Sequence, residues 1–292
     1  MSIAGRAGKL PSDGGPSGPR WHRIEDLLTS DVFGAYRYLP PAVGLLPFLA
    51  RARGMFGRTL PEQLAEEGVS FDALRWCRIV FWPALAGREP DVLILAGESV
   101  RTALVAVLVE AKLHAEQHVI DGLSQVGFYA RAHAEGRFED PELQDGLPRL
   151  RHVVLVTKHN EMPSNAIAQA EREIGEAGIA NTAVFWVNWT AALDEAEAAW
   201  TARRANIAVE PWWQILADLI EDLQARGIAG TAARQGFPLP LLPALASDPE
   251  RALRVVRIPI PRQIRRTLTF GAAALPRGLD DIDDLMRRWR KP

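Results

Sequence analysis

The run Ala103-Leu104-Val105-Ala106-Val107-Leu108-Val109-Glu110-Ala111-Lys112 decides how this chain is read. An unbroken apolar row is the pattern of a central strand covered on both faces; a strand with one wet face would alternate. Two charges close the row. Side chains alternate along a strand, so Glu110 and Lys112 project to one side and Ala111 to the other. A carboxylate or ammonium buried alone is strongly disfavoured, so this strand end calls for mutual pairing, a metal, or both.

Working upstream, residues 75–82 and 91–96 are also apolar and β-rich, and Pro and Gly separate them from 103–113. An antiparallel hairpin turning around 97–102, centred near position 100 or 101, sets Asp91 roughly opposite Glu110. Two carboxylates at that separation repel, and a hard divalent cation holds both ionised. Mg2+ suits two carboxylates with water and substrate phosphate completing its shell, and Mn2+ is the expected substitute. With a cation to acidify water and neutralise phosphate charge, and Lys112 to orient that water or stabilise the developing charge, the set is equipped to hydrolyse a phosphodiester.

Downstream, residues 116–135 read as a helix on which Gln125 and Tyr129, four apart, share one face, with His118 and Asp121 approaching it. An amide and a phenol there could position the lysine or bond a phosphate or base. After a polar loop, a strand at 152–157, a helix at 164–176 and a strand at 182–189 form an alternating unit, and helices at 191–204 and 212–226 close the region. Before the strands, a helix around 23–28 and a second short one through Tyr36, capped by Thr29-Ser30-Asp31, are stopped by Pro40-Pro41. Residues 42–72 read as loops and short helices, one starting at Pro61-Glu62-Gln63-Leu64.

Three regions result: a Gly-, Ser- and Pro-rich segment at 1–19 expected to be disordered, a domain at 20–235, and a Pro- and Arg-rich extension at 236–292. The formal net charge of −2 says little, but from Arg251 to Pro292 eleven Arg and Lys stand against four Asp, a net of +7. Arg262, Arg265 and Arg266 in this tail are candidates for contact with a phosphate backbone; a solvated face is the equal alternative. Neither a membrane span nor a signal peptide is legible, so a cytoplasmic location is expected. The single cysteine, Cys77, lies in an apolar run and reads as a structural thiol.

Pro90-Asp91 and Glu110-Ala111-Lys112, in that order and strand context, resemble the motifs of the PD-(D/E)xK nuclease superfamily, and Gln125-Val126-Gly127-Phe128-Tyr129 resembles the Q-x-x-x-Y motif of its RecB-type branch. The resemblance implies a restriction-endonuclease-like α/β fold, a three-layer core whose central mixed sheet in αβββαβ order is flanked by helices. It implies a Mg2+-dependent nuclease acting on DNA, with RNA left open, in bacterial defence or DNA repair. Asp91, Glu110 and the Ala111 carbonyl would hold metal, Lys112 would serve the water, and Gln125 and Tyr129 would orient substrate. Glu25 would be the acidic residue such nucleases carry on the helix before the sheet, with Asp26 competing for the role. The upstream histidine of RecB-type relatives has only His22 as a counterpart. The segment from Ile24 to Gly34 also resembles the opening of uncharacterised bacterial nuclease-like proteins. A homodimer is an admissible assembly, and no membrane partner is implied.

Blander readings stand beside these. Glu110 and Lys112 could be a surface ion pair, Gln125 a solvated helix position and Tyr129 a half-buried aromatic. His114, His118, His152 and His159 lack the spacing of a zinc site. Trp200, Trp212 and Trp213 read as core residues of amphipathic helices before they read as a base-stacking platform. The rival function is a catalytically inactive nuclease-fold module that binds nucleic acid or a protein partner. A nucleotide-binding enzyme is disfavoured because no Gly-rich loop joins a strand to a helix in the required way.

Overall fold

In the computed structural model, which describes residues 20–112, 119–203 and 212–230, the apolar run is the central strand of a five-stranded mixed sheet. The helices α1 (Arg20–Tyr36), α2 (Leu45–Ala50) and α3 (Leu60–Glu66) come first. Three antiparallel strands follow, β1 (Trp76–Phe81), β2 (Val92–Ser99) and β3 (Thr102–Lys112). A two-stranded hairpin, β4 (Val119–Ile120) and β5 (Leu123–Ser124), leads into α4 (Gln125–Glu135) and the short α5 (Pro141–Asp145). Then β6 (Leu150–Thr157), α6 (Ser164–Glu176), β7 (Val184–Asn188), α7 (Trp189–Arg203) and α8 (Trp213–Ala225) complete the order. The sheet runs β1-β2-β3-β6-β7, antiparallel up to β3 and parallel from β3 to β7. No described helix is long and apolar enough to cross a membrane.

Alternation along β3 assigns each residue to a face. Val105, Val107, Val109 and Ala111 enter one core with Phe33, Tyr36, Phe48 and Trp189 of the α1, α2 and α7 side. Ala106 and Leu108 enter a second core with Val126, Phe128 and Tyr129 of α4 and Ile167 of α6. Glu110 and Lys112 continue this second row. On β2 the same row is Leu95 and Leu93, and Asp91, just before the strand, extends it; on β6 it is Val153 and Leu155, ending in Thr157. The second apolar face therefore gives way to polar residues on all three strands at one end of the sheet.

Several expectations need correcting. The helix placed at 116–135 begins only at Gln125. Ile120 pairs with Leu123 across Asp121-Gly122, whose φ values of 51° and 82° make the two-residue turn that Asp-Gly favours between paired strands. Asp121 thus lies in a turn and not on the helix, while His114 and His118 fall outside the described residues. The two short helices before Tyr36 are one: Thr29 and Ser30 are buried in mid-helix, Ser30 bonds back to the Leu27 carbonyl at 3.1 Å, and Asp31 pairs with Arg226 at the end of α8 instead of capping. The polar loop after α4 contains α5, capped by Asp140 with Pro141 in its first turn. The segments 1–19 and 231–292, with Arg262, Arg265 and Arg266, lie outside the described residues.

Candidate active site

The register of β2 on β3 builds the site. Val92 faces Val109, so the next pair outward is Asp91 with Glu110. Near the turn the register shifts at Gly97, and this irregularity leaves the pairing at the open end undisturbed. Beyond the last strand pair, the Ala111 N–H donates to Asp91 Oδ2 at 2.7 Å, a charge-assisted bond that takes the place of a ladder bond. The N–H and C=O of one residue in an extended strand point to the same edge, so the Ala111 carbonyl also faces the Asp91 side.

Lys112 Nζ lies 2.7 Å from Glu110 Oε1 and 3.6 Å from Glu25 Oε1. Gln125, the first residue of α4, donates its side-chain amide to the same Glu110 oxygen at 2.6 Å. Tyr129, one turn on, is buried on the same face of the helix. Glu110 is 3% exposed, and Glu25, Asp91 and Gln125 are 7–8% exposed, so the surface ion-pair reading does not describe this cluster. Glu25 reaches Lys112 from α1. The side chain of His22 is not among those described.

Burial and the adjacent Glu110 carboxylate push Asp91 well above the ordinary carboxylate range, against the Ala111 N–H and Lys112. Burial also raises Glu110, with Lys112 opposing it. For Lys112, burial works to lower the ammonium, but Glu110, Glu25 and Asp91 together hold it above its usual value. The Tyr129 phenol is pushed up to about 12, by burial first and then by Glu110. Three carboxylates around one ammonium leave an excess of two negative charges when all ionise. That is the charge one divalent cation carries, and the Asp91 and Glu110 oxygens with the Ala111 carbonyl are the hard donors Mg2+ takes. The Gln125 side chain is buried between the Glu110 carboxylate and the Tyr129 phenol.

Among the described residues no group of three or more His, Cys, Asp or Glu side chains is arranged to hold a metal; two carboxylates and a carbonyl are a set of another kind. His152 bonds Glu67 at 3.0 Å and accepts the Ala183 N–H, and His159 is exposed. Trp213 is buried against Trp200 and Trp212, with ring centroids 4.4 Å and 5.3 Å away, which is core packing. Cys77 is half-buried and its thiol is pushed up to about 11 by burial, which makes it a poor nucleophile.

Sequence reasoning missed Ser124 and Glu173. Ser124 caps α4 through the Gly127 N–H and is itself held by Glu173 on α6. The available signal was the Asp121-Gly122 turn, which moves the helix start to Ser124.

No protein-family model matches the chain, and no curated protein matches it. Among solved structures, SfsA of Pyrococcus furiosus in complex with Ca2+ is similar over 44% of this chain and 54% of its own, at 16% identity and a TM-score of 0.22. The chain thus spans about half the length of SfsA. A likeness this slight carries no argument about activity. What the fold defines is a mixed α/β protein with a five-stranded sheet, at one end of which a buried acid–lysine cluster gathers.

Proposed function

We propose that this protein is a metal-dependent nuclease of the PD-(D/E)xK type, with a restriction-endonuclease-like core, that hydrolyses DNA phosphodiesters. The observation that carries the reading is the Asp91–Ala111 bond at 2.7 Å beside the Lys112–Glu110 contact at 2.7 Å, at the end of adjacent antiparallel strands. A bound Mg2+ would neutralise charge on the scissile phosphate and acidify water. Asp91, Glu110 and the Ala111 carbonyl would hold it. The Ala111 N–H fixes one Asp91 oxygen, so the other is the one available to a cation.

Lys112 stays charged at neutral pH in this cluster, so it acts as a donor to the attacking water and the developing phosphate charge, not as the base. Glu25 and Glu110 aim it from two sides. Gln125 fixes Glu110, and Tyr129, protonated at neutral pH, donates toward substrate. Protonating Asp91 or Glu110 would remove a metal ligand, so Mg2+ binding should weaken as pH falls.

The test is Mg2+-dependent cleavage of single- and double-stranded DNA and of RNA by the full chain. Asp91→Ala and Lys112→Ala, each checked for native circular dichroism, should lose about a hundredfold or more of the rate. Binding without cleavage by the wild type would overturn the proposal in favour of an inactive binding module, and an unchanged rate in either variant would remove that residue from the site.

A further inference from the structure

The first turn of α4 is held from α6 by one carboxylate. Glu173 accepts the Ser124 N–H with both oxygens, at 3.0 Å and 3.2 Å, and its Oε2 accepts the Ser124 hydroxyl at 2.7 Å. With its hydrogen directed at Glu173, the hydroxyl turns a lone pair to the Gly127 N–H, which donates to it at 3.1 Å. Gln169, one turn earlier on α6, donates to Glu173 Oε1 at 2.9 Å and fixes the carboxylate from its own helix. Position 127 must lack a side chain for this to fit. A Cβ built there would lie 1.6 Å from Glu173 Oε2 and 2.9 Å from both its Cδ and Ser124 Oγ. The negative charge also sits where the dipole of an 11-residue helix favours it.

Gln125 directly follows Ser124, and its amide holds Glu110 at 2.6 Å. We propose that Glu173 is a positioning residue for the acid–lysine cluster: by clamping Ser124 it sets the first turn of α4 and so holds Gln125 against Glu110. The inference rests on the nuclease reading of that cluster. Glu173 touches none of the reacting groups and acts through Ser124 and Gln125 alone. Gly127 serves the clamp by leaving room for it. An alanine there meets both the Glu173 carboxylate and Ser124 Oγ, so Gly127→Ala breaks the contact between them without deleting the charge.

Two readouts test this in the full chain, on wild type, Glu173→Ala, Glu173→Gln, Gly127→Ala and the double variant Gly127→Ala/Glu173→Ala. The first needs no metal or substrate: the side-chain amide signals of Gln125 in 15N-labelled protein. They should move in Glu173→Ala and Gly127→Ala, and return most of the way in Glu173→Gln, which keeps an acceptor for Ser124. The second is cleavage with Mg2+. Glu173→Ala and Gly127→Ala should each lower kcat about tenfold with KM little changed, since a misplaced group and not lost binding is the cause. Added to Glu173→Ala, Gly127→Ala should lower kcat by less than its factor in the wild type, because both changes break the same Ser124–Glu173 contact. Unmoved Gln125 signals in Glu173→Ala, or single-variant losses that multiply in the double variant, overturn the clamp. Should Glu173→Ala fail to fold, Gly127→Ala and Glu173→Gln decide by the same signals. A wild type that cuts no nucleic acid overturns the nuclease reading instead, and the metal-free signals still decide the clamp.

Discussion

On one face of the sheet, Phe33, Tyr36, Phe48 and Trp189 close over Val105, Val107 and Val109, and two of the polar atoms buried there, Tyr36 Oη and Trp189 Nε1, have no hydrogen-bond partner among the described residues. On the other face, the charges at the end of the Ala106–Leu108 row are bonded: Asp91 to Ala111, Glu110 to Gln125 and Lys112, and Lys112 also to Glu25. A neutral hydroxyl or indole without a partner costs on the order of 1–3 kcal/mol, which a large aromatic core offsets, whereas a lone buried charge costs far more. The first face thus stabilises the fold, and the second holds charges that stay ionised only as a connected set.

The sharpest way to break this contrast is to truncate a side chain on the first face. Phe48 is fully buried, stacked on Trp189 at 6.5 Å and edge-on to Phe33 at 6.0 Å. Phe48→Ala should cost about 3–5 kcal/mol in urea unfolding, and leave the cleavage rate per folded molecule unchanged. A rate loss comparable to that of Asp91→Ala would mean the two faces are not separable.

Removing a charge from the second face should cost less. Lys112→Ala leaves Glu110 and Glu25 without their ammonium, yet Glu110 can take up a proton, holding the loss to about 2 kcal/mol at pH 8. The sign follows from the direction of the shift. Glu110 is already raised in the folded protein, and losing Lys112 raises it further, so the folded state binds the extra proton. The deficit relative to wild type should therefore shrink as pH falls from 8 toward 5. A deficit that stays constant would show that Lys112 contributes packing and not charge balance.

Much of this contrast was legible in the chain. The run Ala103–Val109 announced a strand covered on both faces, and period-two alternation put Glu110 and Lys112 together; the centre near 100 or 101 also matches the Val92–Val109 pairing. These are local regularities, readable without knowing what packs where. Glu25 needed a resemblance, since nothing local ties α1 to the end of β3. The contact of Ser124 with Glu173 was not legible because it spans 49 residues and depends on how α6 packs on α4. The Asp121-Gly122 turn could have been read and was overrun by the helical pattern around it. Thr29-Ser30-Asp31 misled for the opposite reason: a good capping sequence was overridden by burial of both hydroxyls in a longer helix.

The effect confined to acid pH concerns a polar group that the second face buries without using it in the cluster. His133 on α4 is fully buried, its Nε2 lies 3.3 Å from the Ala106 carbonyl, and its Nδ1 has no partner among the described residues. The carbonyl requires the proton on Nε2, so a second proton on Nδ1 would find no acceptor. Burial accordingly depresses its pKa from 6.5 to about 3. Because the folded value lies below the unfolded one, the contribution to stability is complete above about 6.5 and is lost as pH falls toward 3. Between those limits one proton separates the unfolded from the folded state, a slope of about 1.4 kcal/mol per pH unit. His133→Phe should remove that increment, so its stability should fall less steeply than wild type between pH 6 and 4 in urea titrations. Parallel slopes would mean that His133 titrates alike in both states, and that the second face tolerates charge away from its polar end.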